Sequence, residues 1–572
     1  MNLTITPYYK DVFDENKPSL KDLLCDIPSK FVLTFLAMLN AELHVNMYDT
    51  TVQNKLLSLT LCNQPEQLRN NIIARLNKVI KDKNLKELAI FTPSAILHFM
   101  HYELMHFKEI DNDKSSPEDE LNIFKAYLIH LDFSNSEMES SIKTYTQSSD
   151  LGYQRATWPT YIGQYPINNK SNAFTSLIKG QIFLNHFSCS SKYKIYLNKF
   201  LGSYGFDKSF NFLLSLMNII IVGYTDPNDK PQRLPNFIIK EGNSINLMLD
   251  NFAVNPEEFS AKDINKKNKI LGILSNPVFY RPGIGYIILD WDLLSMKLFD
   301  GLQHDFFEKS GIKDREQFFD YRLFKQYVSE NITESVIFKK SLTSIFYKKY
   351  CVLSFNKSIS QGFPDCYFRS GNKVALIKLK DASFSFSALS SNSFEKIKEE
   401  IDIKVNKNDK GTGQIIKQIK HLVSDSFENP KNYSHTRNFI IYPILIYTDD
   451  NFSFFGINSY LSKEFLKMIQ DNNLQNCFKT IMPITLISLD FIVQNIDLLI
   501  QRKYNLLDLV KRYHHIIQDR ERKYNKNTSN LSSLHELNQC FEAVIFKILP
   551  ELKNKRQNYL DKVFDIFDLH KE

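Results

Sequence analysis

Apolar residues recur every three to four positions along most of this chain, and they alternate or run together over only a few short stretches. Helical spacing runs through residues 29–43 and 66–80, and Thr92-Pro93-Ser94 opens a further helix reaching Met105. Residues 111–118 form a polar loop, with Ser116-Pro117 favouring a helix start. Helices continue over 119–222, interrupted at 147–150 and around Trp158-Pro159, and a loop rich in Pro, Asp and Asn follows at 224–236. Residues 276–291 read as loop and strand leading into a helix through Leu298, and 301–328 as a connecting helical segment. No repeat of fixed period is present.

The pattern changes beyond residue 329. Phe338, Leu342, Ile345 and Phe346 give a helical stripe, with Thr333 as a candidate cap at its start. Residues 350–355 are loosely a strand. Residues 374–380 (Val-Ala-Leu-Ile-Lys-Leu-Lys) are a clear one: Ala375, Ile377 and Leu379 share one side, and Val374, Leu376, Lys378 and Lys380 share the other. Lysines placed among apolar residues imply a cover over that side, and Asp365, after Pro364, is the nearest partner in sequence. Ser370-Gly371-Asn372 suits the turn of a hairpin between them. Gly411-Thr412-Gly413 opens a helix carrying Ile415, Ile419 and Leu422, and residues 438–450 read as a buried strand ending in a turn. A short strand at 452–457, helices to 500 and a helical tail over 501–572, with a polar break at 524–533, complete the chain.

Pro364-Asp365 and Lys380, fifteen positions on, resemble the signature of the PD-(D/E)xK nuclease superfamily, which has a restriction-endonuclease-like core. The resemblance spans residues 325–460 and implies an αβββαβ core. It assigns Asp365, Lys380, Glu334 and Gln414 to catalysis, and Asp365, Glu334 and the Leu379 carbonyl to a Mg²⁺ (or Mn²⁺) ion. Gln418, one turn beyond Gln414, shares the second helix face expected to meet the substrate. In that scheme the ion activates a water for phosphodiester hydrolysis, and Lys380 steadies the developing charge. Stand-alone bacterial proteins of this layout often act in defence against foreign DNA. One position departs from the family: Lys378 stands where the second acid belongs, and an ammonium repels a divalent ion. Three accounts of Lys378 stay open: a phosphate contact in an active site, the mark of an inactive module that binds nucleic acid or scaffolds a partner, or a Glu-to-Lys replacement in this sequence.

Composition narrows the class. The 572 residues, 43% hydrophobic and 13% aromatic, suffice for two to four packed domains and exclude wholesale disorder. A net charge of +7 is mild, so any attraction for nucleic acid must come from local patches. Seven scattered cysteines without a CxxC pair fit neither a zinc ribbon nor a disulfide framework, and point to reduced thiols in the cytoplasm. The N-terminus has no signal-peptide pattern, no apolar stretch has the ~20 residues a bilayer requires, and no phosphate-binding glycine loop occurs.

Three other clusters merit placing. His98, His101, Glu103 and His106 lie on one helix and read as a polar face. Residues 502–526 interleave Arg502, Lys503, Lys511, Arg512, Arg520, Arg522, Lys523 and Lys526 with Tyr504, Tyr513 and Tyr524, a mixture that suits either a solvated face or nucleic-acid contact. The lysine-rich 396–410 segment reads as a mobile loop beside the groove, with Glu399 or Glu400 able to swing in for the missing acid. The expected architecture is therefore α+β and multidomain: a mainly helical region at 1–325 for recognition, homo-oligomer or partner contact, a nuclease-like α/β core at 326–500, and a helical segment at 501–572. DNA is the expected partner, and no membrane association is expected.

Overall fold

In this computed structural model the chain is an α+β protein, mostly helical, with two sheets among the described residues. The structure describes residues 6–569 except 47–48, 84, 86–87, 111–114, 143–149, 163–171, 224–236, 243–244, 264–270, 356–362, 390, 392, 408–409, 425–435, 527–530 and 554–558. The expected 224–236 loop, the 147–149 part of the first break and the 527–530 part of the last therefore lie outside the described residues. No helix among those described is long and apolar enough to cross a membrane.

The chain divides into two units. The first gathers Met1–Ser140, Pro166–Ala173 and Lys194–Ile312. Its helices include Ser29–Asn46, Glu66–Asp82 and Pro93–Met105, the last capped by Thr92, whose hydroxyl accepts from Ala95 N–H. Where one strand was expected, an antiparallel sheet forms from β1 (Ile238–Ile239), β2 (Val278–Arg281) and β3 (Gly285–Ile288), in the order β1-β3-β2. At the end of β3, Asp290 caps the Trp291–Met296 helix.

The second unit comprises Ser141–Tyr165, Phe174–Tyr193 and Lys313–Glu572. Its sheet runs β4 (Val352–Ser354), β5 (Cys366–Ser370), β6 (Lys373–Lys380), β7 (Ile440–Tyr447) and β8 (Thr480–Ile481), with β9 (Thr485–Ser488) also on β7. Strands β4, β5 and β6 form an antiparallel meander, and β7 then joins β6 in parallel, as do β8 and β9 on β7. Central β7 is apolar throughout because both of its faces are covered. Pro443 lies within it, where a missing N–H would ordinarily break a ladder. Pairing passes from β8, at Ile440 and Ile441, to β9, at Ile444 onward, so on that side the proline falls in the interval between partners, while on the other it stays in register with Leu376 of β6.

A continuous helix over 321–346 precedes the sheet. It begins at Tyr321, capped by the Asp320 carboxylate, so Thr333 is an interior residue rather than the expected cap. Its middle, Ser329–Phe338, is π-helical, and Lys339 N–H donates to the Glu334 carbonyl five residues back. The buried stripe shows why. It steps by four from Phe324 through Val328 to Ile332, by five to Ile337 and again to Leu342, then by four to Phe346. Phe346 stacks on Phe368 of β5 at 4.2 Å. The other sheet face, with Tyr367, Val374, Leu376 and Leu445, packs on Phe394, Ile397, Ile415 and Ile419.

Other expectations are corrected. A helix, Asp150–Ile162, runs through Pro159 rather than breaking there, and Trp158 donates to the Phe455 carbonyl at 3.0 Å. The 396–410 segment is helical rather than a loop as far as Asn406: Phe394–Ile401 is helical and Asp402–Asn406 continues it as a π turn. The strand expected at 452–457 is replaced by a 3-10 turn, Asp450–Ser453, and the start of the Ile457–Asp471 helix. Its apolar residues are packed by helical turns, a choice that a run this short leaves to tertiary contact.

Candidate phosphate-binding site

The hairpin sets the site's geometry. Its two-residue turn, Gly371-Asn372, lies between the paired Ser370 and Lys373, and Gly371 has φ +59, a conformation that favours glycine. Counting back along the ladder, Cys366 faces Ile377, so Asp365 arrives opposite Lys378. Lys378 Nζ donates to Asp365 Oδ1 at 2.5 Å, and Leu379 N–H donates to Oδ2 at 2.8 Å. Both ends of the carboxylate are thus engaged, and its residue is only 9% exposed.

Lys380 lies two positions along the same strand face and donates to Gln414 Oε1 at 3.0 Å. That amide comes from the Thr412–Val423 helix, whose start is fixed by Gly411 at φ +51; a Cβ there would strike the Val405 carbonyl. Burial draws the Lys380 ammonium down to about 8; Lys378 and Lys410 press it the same way, and Asp365 opposes them. Two half-buried ammonium groups, with the exposed Lys410 close enough to act on Lys380, therefore face one carboxylate. Such a surplus suits an anion.

The remaining expected residues are placed differently. Glu334 is half-buried on the π-helical stretch and is not a partner of Asp365, Lys378 or Lys380. Gln418 is 1% exposed, inside the packing, with no hydrogen bond to its side-chain carbonyl. Glu400 accepts from Ser385 N–H at 2.7 Å and lies 3.7 Å from Lys404, so it does not replace the missing acid; Glu399 is exposed. A magnesium ion takes six oxygen ligands in near-octahedral array. Here an ammonium stands on the carboxylate central to the expected set, and the second acid is apart. The residues as folded do not fit a divalent ion. Among the described residues no group of three or more His, Cys, Asp or Glu side chains gathers that could hold one.

Asp381, immediately after Lys380, escaped the sequence reading. Its carboxylate is 4% exposed, 3.6 Å from Lys325, and accepts from Thr448 Oγ1 at 2.7 Å. Burial pushes it up, but Lys325 and the hydroxyls of Thr448, Ser329 and Thr333 outweigh that and hold it below the usual carboxylate range. It ties β6 to the helix that carries Glu334. An acid at a strand end beside a lysine was the available signal. Lys410, likewise, had been visible only as one of many lysines in its segment.

The other clusters resolve differently. Glu103 is buried, accepts from Ser29 Oγ at 2.6 Å and is pushed up by burial, so it faces inward rather than forming part of a polar face. On the Leu506–Lys526 helix, Arg520 donates to the Glu536 carbonyl and to Gln539. The adjoining groove of about 460 Å³ mixes Arg520, Lys523 and Lys547 with Asp519 and Glu536, so its charges largely offset one another. No protein-family model, curated protein or solved structure matches the chain.

Proposed function

We propose that this chain is a nuclease-like module that grips the phosphodiester backbone of DNA through lysines, without a divalent ion. One observation carries the reading: Lys378 Nζ sits 2.5 Å from Asp365 Oδ1, so a built-in cation occupies the carboxylate that a metal would need. Lys380 and Lys410 add positive charge beside it, and phosphate is the anion that such a cluster recognises on nucleic acid. The meander followed by a parallel strand, with helices before β4 and before β7, is consistent with the restriction-endonuclease-like core that the sequence resembles.

The Lys380–Gln414 pair favours a second reading, a Mg²⁺- or Mn²⁺-dependent endonuclease, because a 3.0 Å hydrogen bond joins two residues that the resemblance assigns to catalysis. This requires Lys378 to leave Asp365. Two assays separate the readings: fluorescence anisotropy with labelled duplex DNA in EDTA, and plasmid nicking with Mg²⁺. Under the first reading the protein binds duplex in EDTA and leaves plasmid intact, whereas Lys378→Glu binds more weakly. Mg²⁺-dependent nicking by the unmodified protein, lost in Asp365→Asn, would establish the second. Absence of binding to any duplex would overturn both.

A further inference from the structure

Strand register gathers several connections at one end of the second unit's sheet. Val352 faces Arg369, Ser370 faces Lys373, Lys373 faces Ile440, and Ile440 faces Thr480. Residues 347–351, the Gly371-Asn372 turn, residues 436–439 and Lys479 therefore enter or leave the strands on the same side. Backbone bonds stitch them together: Ile440 N–H donates to the Asn372 carbonyl at 2.8 Å, and Thr480 N–H to the Phe439 carbonyl at 3.3 Å. The other end of β6 carries Lys380, ~23 Å away at the rise of a strand. The connections bring Lys348, Lys349, Arg437 and Lys479 together, with no Asp or Glu among them. Lys373 adds another cation, matched by Asp508 at 2.6 Å.

Two rings stand out among these charges. Tyr350 is 86% exposed and Tyr347 79%, more than any other large hydrophobic residue among those described. Local hydrogen bonds fix that exposure. Tyr347 N–H donates to the Thr343 carbonyl and closes the preceding helix. Cys351 N–H donates to the Lys348 carbonyl at 3.0 Å, closing a turn whose middle residues are Lys349 and Tyr350. Lys349 Nζ lies 5.8 Å from the centre of the Tyr350 ring. Rings held in water forgo the gain of burial, and a nucleic-acid base restores it by stacking on them. A duplex keeps its base faces within its own stack, whereas a single strand offers them. We infer that this end of the sheet binds single-stranded DNA, with bases stacked on Tyr347 and Tyr350 and the backbone passing over Lys349, Arg437 and Lys479. It takes DNA as the partner from the module reading above and rests on that reading to this extent.

The test is fluorescence anisotropy of the full chain, in EDTA at low salt, with labelled oligothymidylate of about 20 nucleotides, longer than the sites such surfaces occupy. Replacing both rings, Tyr347→Ala with Tyr350→Ala, should weaken binding by roughly 30-fold or more. Tyr347→Phe with Tyr350→Phe keeps both ring faces and should hold affinity within about threefold of the unmodified protein. Both side chains are exposed, so the urea midpoint of the alanine variant should not move. Lys349→Ala with Lys479→Ala should reduce the slope of log affinity against log salt by about 1.4, two cations at ~0.7 each. The inference is overturned if the oligonucleotide does not bind, or if alanine at both tyrosines leaves its affinity unchanged. It is overturned too if poly-glutamate displaces the label as well as unlabelled oligothymidylate does, which would make the surface one for acidic protein. Loss of duplex binding with oligothymidylate still bound would instead remove only the reading of the Lys378 corner, so the two failures are distinguishable.

Discussion

Two buried aspartates, one in each unit, receive opposite company. Asp290 in the first unit accepts from Leu293 N–H at 2.8 Å and from the Asn40 amide at 2.8 Å, both neutral donors. Burial pushes it up to about 6, with Asp292 adding to the rise. Asp365 in the second unit accepts from one backbone N–H and one ammonium, with two further lysines close by. The first arrangement ends a strand and starts a helix, and its polar groups are used up in doing so. The second leaves positive charge over among the described residues. Burial alone is thus a poor guide to function; what separates cap from site is the charge that remains.

Breaking the charged corner should have the larger effect. Lys378→Ala leaves the Asp365 carboxylate buried without its cation, a change that typically costs about 3–5 kcal/mol, read as a lower urea midpoint with an unchanged slope. Near-native stability in that variant would mean that the ion pair is incidental. Asp290→Ala should cost less, about 1–2 kcal/mol through the lost helix cap, and should leave duplex binding as it was. A fall in DNA affinity there would erase the contrast between the two corners.

Titration sharpens the same contrast. Asp290 has its folded pKa raised, so its stabilising contribution is complete below the ordinary carboxylate value and is lost as pH rises through about 6. Asp290→Asn should therefore flatten the change in urea stability between pH 5 and 7. Lys380 is protonated below about 8, so phosphate affinity should fall as pH rises from 7 to 9, by roughly tenfold in anisotropy titrations. In Lys380→Ala that slope should vanish. Lys410 is exposed, and its replacement by Ala should weaken binding least, about twofold at low salt and less as salt rises.

The long helices and the hairpin were legible because their periodicities are sustained: Ser29–Asn46, Glu66–Asp82 and Pro93–Met105 each fall within a few residues of expectation. The shared β6 face of Lys378 and Lys380 was legible too, since strand alternation fixes it. The Lys378–Asp365 contact follows from counting back from the hairpin turn, yet a reading centred on metal chemistry sets Lys378 against Lys380 and overlooks it. Strands β8 and β9 were not foreseeable, because two and four residues are too few to establish a period. The π turns also escaped, since two five-residue steps resemble an irregular α-helical stripe until its hydrogen bonds are seen.

That widened stretch of the 321–346 helix works as a phase shifter. Each residue of an ordinary helix advances the direction of its side chain by ~100°, so removing one residue from 329–338 would tighten the coil and rotate everything upstream by about that angle. Phe346 could keep its place on Phe368 while Lys325 swung away from Asp381. The surplus residue therefore sets angular alignment between the two ends of one rod, and chain length there is as constrained as chemistry.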